Sequence, residues 1–229
     1  MWIESDNRVY GRTLNAYDRR RTAGGSSGGE GAAIGCGGSV IGIGTDFAGS
    51  IRLPAFFNGV FGHKPSTRLV PMTGHFPISG GEAMRMSVAG PLARRATDLM
   101  PVLRLIAGPD GADPLVRDPP LGDPARAAAR SLETEISATI EDGVLLHPPH
   151  PRVAPRHGWT VGRPWLLAPT ALFNLLGMPA TQVPLGLGRK GLPVGVQVAA
   201  GRDRDHVAIA VAIELERAFG GWVPPAPPT

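Results

Sequence analysis

Residues 24–55 read GGSSGGEGAAIGCGGSVIGIGTDFAGSIRLPA, and the serines set into this glycine are the side chains whose chemistry matters first. A serine hydroxyl becomes a nucleophile when a neighbour takes its proton as it attacks. Glycine lets several backbone N–H groups converge on one point without Cβ interference. Two local readings follow. Gly24-Gly25-Ser26-Ser27-Gly28 fits the G-x-S-x-G nucleophile elbow around Ser26, and the frame one residue on fits it around Ser27. That elbow needs an apolar strand running into the serine, whereas the preceding AYDRRRTA is charged. The second reading is a phosphate cradle. Residues 29–35 (GEGAAIG) and 42–49 (GIGTDFAG) hold glycine, but neither has G-x-G-x-x-G spacing or a G-K-[ST] end, which argues against a nucleotide-binding module.

Other reactive residues are sparse. His147, His150 and His157 fall in one proline-rich tract, HPPHPRVAPRHG. The prolines deny them a helical face and no cysteine or acidic partner accompanies them, so no metal and no cofactor is expected. The lone cysteine, Cys36, rules out an intrachain disulfide and reads as a small buried hydrophobe in a reducing, cytoplasmic setting. Net charge is only +4, and the arginine runs at residues 19–21 and 94–95 carry no interleaved aromatics, which reads as solvated surface and argues against a nucleic-acid partner. No apolar stretch is long enough for a transmembrane segment, and the N-terminus MWIESDNRVYGR lacks a signal-peptide core.

The elements that must position the serines can be read from periodicity and punctuation. Glycine (32) and proline (24) stand at about twice average usage but sit within apolar sequence, so they mark turns between short elements. Short strands are expected over residues 40–44 and Val88–Ala93, a small-residue helix over 30–36, and a helix over 97–107 with Thr97 as N-cap. Residues 108–124 form a proline-rich break, followed by a helix over 125–141. Residues 170–176 suggest a helix stopped by Gly177. Strands over 181–185 and 194–199 flank a turn at 189–191, which holds Lys190. The last helix, Asp205–Phe219, has an apolar stripe and closes at Gly220. A frayed tail is expected from Trp222 onward. Alternating strands and helices make the class α/β.

The window resembles the amidase signature family of serine hydrolases on several blocks in order: NAYDRRRTAGGSSGGEGA, GIGTDFAGSIRLPA, GVFGHKPS, GPLARRATDL, FNLLGMPATQVPLGL and GLPVGVQVAAGRDRDHVAIAVAIELERAF. The segment GVLLHPPHPRVAPRHG is most similar to the fatty-acid amide hydrolase branch. The resemblance implies a partial amidase-signature fold, a mixed central β-sheet flanked by helices, in one domain over residues 1–229. It also implies roles. Ser50 would be the nucleophile and Ser26, 24 residues upstream, the relay serine on a cis peptide bond. Backbone N–H groups of Phe47, Ala48, Gly49 and Ser50 would form the oxyanion hole, with Ser27, Asp46 and Arg52 supporting the loop. The expected partner is a small-molecule amide, hydrophobic if the branch is a guide, and a homo-oligomer is left open.

The chain departs from the pattern in four places. The family's third catalytic residue is a lysine in a V-K-D segment upstream of the relay serine, and no lysine precedes Ser26 here. Lys64 belongs to the GHKPS block and Lys190 to a turn, and nothing in the spacing of His63 or His75 makes either a substitute. Residues 109–131 read as a junction where family sequence is missing. Alanine stands at 16 and 48 where the family favours proline and glycine. Ala48 matters if its position needs a left-handed φ, where a Cβ is unfavourable. The resemblance therefore implies an amide hydrolase truncated at its N-terminus, with an inactive, at most ligand-binding remnant as the alternative.

Overall fold

The computed structural model describes residues 3–76, 86–117 and 143–227. A small hairpin, β1 (Asp6–Asn7) and β2 (Gly11–Arg12), precedes α1 (Gly28–Gly35), β3 (Ile41–Asp46), α2 (Arg52–Phe57), β4 (Phe61–Lys64) and β5 (Val88–Ala93). A 3-10 turn at Ala96–Asp98 leads into α3 (Leu99–Ile106). Then come β6 (Val144–His147), a 3-10 turn at Pro164–Leu167, α4 (Ala168–Leu175), β7 (Ala180–Leu187), β8 (Pro193–Ala200) and α5 (Asp205–Phe219). The helix expected over 125–141 lies outside the described residues, as does most of the stretch 109–131.

Among the described residues six strands form one sheet in the order β3-β5-β4-β7-β8-β6, every pairing antiparallel. The period of two along each strand sorts side chains onto two helical layers. Phe61, Ala93, Val183 and Val198 face α3 and α5, where Leu99, Met100, Leu103, Ile209 and Ala212 complete the core. Leu92 faces the opposite layer with Ile34 of α1 and Ala55 of α2. Gly62 is on that same face, because a Cβ there would meet Ala55 and Ile51. The fold is α/β with helices on both faces of the sheet, so the window that carries Ser26 and Ser50 lies in the α1–β3–α2 layer.

Several elements follow the sequence reading closely. β5 and α5 have the expected bounds, and α5 ends with Gly220 at φ +87°. The hairpin β7–β8 is longer at both ends than expected, with an irregularity between Pro184 and Leu187. The helix expected from Thr97 starts instead as a 3-10 turn, with Asp98 as the residue before α3. Pro101 then occupies the first α-helical turn, where its missing N–H costs nothing.

Two expectations are corrected. Cys36 is exposed, because α1 buries Gly28, Gly31, Ile34 and Gly35, and the cysteine follows the last of these on the outer side. The tail is not frayed at Trp222. Its indole donates to Gly35 O (3.2 Å), Arg94 lies over its ring at 5.3 Å, and the Tyr17 hydroxyl donates to Val223 O. One arginine of the second run therefore does pair with an aromatic, though one distant in sequence.

Candidate active site

The loop between β3 and α2 carries Ser50, and its shape is set by Asp46, the last residue of β3. The Asp46 carboxylate accepts from the N–H of Gly49 (2.7 Å, Oδ1) and of Ile51 (3.1 Å, Oδ2). Arg52, the first residue of α2, folds back onto it in a two-pronged pair, Nε to Oδ2 at 3.1 Å and Nη2 to Oδ1 at 3.0 Å. Both side chains are fully buried. Such a pair survives burial only if its remaining donors and acceptors are met, and here every guanidinium nitrogen has a partner. Arg52 Nη1 donates to Gln197 Oε1 of β8 (2.9 Å) and Nη2 to Asn174 Oδ1 of α4. Asn174 Nδ2 in turn donates to Asp46 O and Oδ1, each at 3.0 Å. Burial alone would push the Asp46 carboxyl up. The charge and hydrogen bonds of Arg52 outweigh it, with help from Lys64 and Asn174, and hold it at about 2.

Gly49 is the left-handed point of the loop, with φ +125°. A Cβ there would also collide with Thr170 Oγ1. Among non-glycine described residues only Arg68 and Asp203 have positive φ, so Ala48 keeps an ordinary backbone and its Cβ costs the loop nothing in φ. The four expected oxyanion donors are not equivalent. Gly49 N–H is committed to Asp46, whereas the N–H groups of Phe47, Ala48 and Ser50 donate to no group among the described residues.

The first serines approach this loop from α1. Ser27 N–H donates to Ser50 O (3.3 Å), which lays the Ser26–Ser27 segment alongside Ser50. Ser27 Oγ accepts from Thr45 N (3.2 Å), fastening the start of α1 to β3. Gly44 permits the approach, since a Cβ there would stand 2.7 Å from Ser27 Oγ. Ser26 is exposed, Ser50 is half-buried, and the Gly25–Ser26 peptide bond is cis. Ser5 adds a hold absent from the sequence reading: its hydroxyl donates to Gly24 O (2.9 Å) and accepts from Gly28 N (3.1 Å).

Neither lysine of the chain donates to the two serines. Lys64 is fully buried and its ammonium donates to Pro65 O (2.7 Å). Burial, followed by the charge of Arg52, pushes it down to about 7 against the weaker support of Asp46 and Asp205. Lys190 is exposed between β7 and β8. His63 is also fully buried: Nε2 donates to Asp205 Oδ1 (3.0 Å) and Nδ1 accepts from Thr181 Oγ1 (2.8 Å). It ties β4 to β7 and α5. Among the described residues no group of three His, Cys, Asp or Glu side chains is arranged to hold a metal ion, and no helix is long and apolar enough to cross a membrane.

Comparison with known proteins defines the class. The chain belongs to the amidase family, whose sequence model, described as Amidase, matches residues 1–154. It is 33% identical to fatty-acid amide hydrolase 2 of Homo sapiens and 32% identical to fatty-acid amide hydrolase 2-B of Danio rerio, in each case over 98% of this chain and 66% of the relative. The chain thus spans 66% of the length of these curated relatives. The human match runs over 349 positions, more than the 229 residues present here, so that relative carries residues between the matched blocks that this chain lacks. Among solved structures, 6-aminohexanoate cyclic dimer hydrolase superposes with a TM-score of 0.77, covering 95% of this chain and 72% of that one at 20% identity. Peptide amidase from Stenotrophomonas maltophilia gives a TM-score of 0.78, with 99% and 72% covered at 20% identity. Both share the fold.

Proposed function

We propose that the chain is an amide hydrolase that forms an acyl-enzyme on Ser50. The observation that carries this reading is the loop geometry: unengaged N–H groups at Phe47, Ala48 and Ser50 flank a half-buried serine, beside a second, exposed serine at Ser26. Ser50 Oγ attacks the amide carbon as its proton passes to Ser26 Oγ, while Ser26 gives up its own proton towards the departing amine nitrogen. The C–N bond breaks, the amine leaves and an ester remains on Ser50. Water then hydrolyses the ester, returning the carboxylic acid and the free serine. The oxygen of each tetrahedral intermediate is held by the free loop N–H groups, each worth about 3 kcal/mol in a preorganised site. The similarity to fatty-acid amide hydrolases supports a hydrophobic acyl group in the substrate. On this reading most of the internal family sequence that the chain lacks belongs in the stretch 109–131.

A second reading is favoured by the placement of the lysines. With Lys64 enclosed and Lys190 at an exposed turn, no lysine serves the two hydroxyls, and the chain would be a binding remnant of an amidase. A fluorophosphonate probe decides between them. Labelling of Ser50 that is lost in Ser50→Ala and slowed in Ser26→Ala supports the enzyme. A folded protein that takes up no probe and turns over no member of an amide panel supports the remnant.

A further inference from the structure

We infer that α4, a helix about 120 residues further along the chain, orients the oxyanion side of the Ser50 loop through Thr170 and Asn174. The inference rests on the serine-nucleophile reading above. Thr170 and Asn174 are four residues apart on α4, hence on one face of the helix, and both are buried. Each holds a loop carbonyl. Thr170 Oγ1 donates to Ala48 O (2.6 Å), and Asn174 Nδ2 donates to Asp46 O (3.0 Å). The hydroxyl has one proton and a second acceptor in range, Leu167 O at 3.0 Å, and the shorter contact is the one to Ala48.

A trans peptide is planar, with its C=O and the following N–H pointing in opposite directions. Holding Asp46 O against α4 therefore turns the N–H of Phe47 away from α4. Holding Ala48 O turns the N–H of Gly49 into the Asp46 carboxylate, where it is found at 2.7 Å. A third plane is fixed from the other side, since Leu53 N donates to Gly49 O (2.7 Å) and so sets the direction of Ser50 N–H. Phe47 and Ser50 thus keep free N–H groups whose directions are dictated by their carbonyl-side partners. Gly49 supplies no free donor and serves as the hinge pin of the loop. Asn174 does a second job, joining Asp46 and Arg52 in one buried network. Thr170 hydrogen-bonds the loop through Ala48 O alone and otherwise only packs against Gly49, a contact that a side chain of the same shape keeps, so it is the cleaner position to test.

Thr170→Val keeps the shape and removes the donor, whereas Thr170→Ser keeps the donor. The probes are a fluorophosphonate, read as kinact and KI for Ser50, and the hydrogen-exchange rate of the Gly49 amide. Thr170→Val is expected to lower kinact about 100-fold at unchanged KI, the loss that displacement of a catalytic group by about 1 Å produces, and to speed Gly49 exchange. Thr170→Ser is expected to restore both. An unchanged kinact in Thr170→Val, or a loss that serine does not rescue, overturns the inference. If the wild type takes up no probe, the serine-nucleophile reading fails by itself. The exchange measurement still decides the hold of α4: unchanged Gly49 exchange in folded Thr170→Val overturns it, and faster exchange rescued by serine supports it. If Thr170→Val does not fold, Thr170→Ala takes its place.

Discussion

Gly49 combines two constraints at a single residue, a left-handed φ and a neighbour where its Cβ would stand. Gly49→Ala is expected to cost about 2 kcal/mol of stability and to abolish probe uptake at Ser50, read by chemical denaturation and labelling of the same sample. Ala48→Gly, by contrast, relaxes no positive φ and is expected to leave labelling within about twofold, since a substitution that relieves no strain changes little. Lys64 poses a different single-residue question. Its ammonium is lowered to about 7 in the fold and titrates at 10.5 when exposed, so between these values the unfolded chain binds the extra proton and stability rises with pH. Below about 7 both forms are charged and the slope vanishes. Thermal melts of wild type and Lys64→Met from pH 6 to 9.5 should diverge in the upper half of that range, with the rise in Tm confined to the wild type. Asp46 has the same sign in an acid window: the stability its low pKa brings is present above 3.8 and lost as pH falls through about 2.

At the scale of elements, β4 is joined to α5 by a buried polar knot. Asp205 accepts from His63 Nε2, from Ser66 N (2.7 Å) and from Ser66 Oγ (2.6 Å), and is fully enclosed. Asp205→Ala strands three donors and is expected to cost about 3 kcal/mol, seen as a lower denaturant midpoint at constant m-value. Two members of this knot also mark how far sequence carries. The helix beginning at Asp205 is legible because an apolar stripe of period 3.6 and a closing glycine are local signals, as are β5 and the β7–β8 hairpin. The pairing of Asp205 with His63, 142 positions earlier, has no local signature. The same holds for Thr170, Asn174 and Gln197. Their block of sequence is legible as part of a family resemblance, but their hold on the Ser50 loop emerges only when α4 and β8 close over it. Cys36 misleads for the converse reason: apolar neighbours in sequence suggest burial, and the period of α1 places them inward and the cysteine outward.

The whole molecule is stitched from both ends of the chain. β4 comes from the first half and its sheet neighbour β7 from the second, and the Asp46–Arg52 pair is completed by α4 and β8. Neither half carries a finished core, so unfolding should be a single event. Tryptophan emission, from Trp159 beside the α2 layer and Trp222 beside α1, should fall at the same midpoint as the far-ultraviolet signal of the sheet and helices. Separate midpoints would show that the halves melt independently. The exposed Cys36 also has a practical use. It is the one thiol in the sequence and directly follows Gly35, whose carbonyl receives the Trp222 indole. A maleimide dye attached there would sit within contact-quenching range of that indole. Its brightening would report, in real time and without further mutation, the moment the C-terminal strap lifts from the first helix.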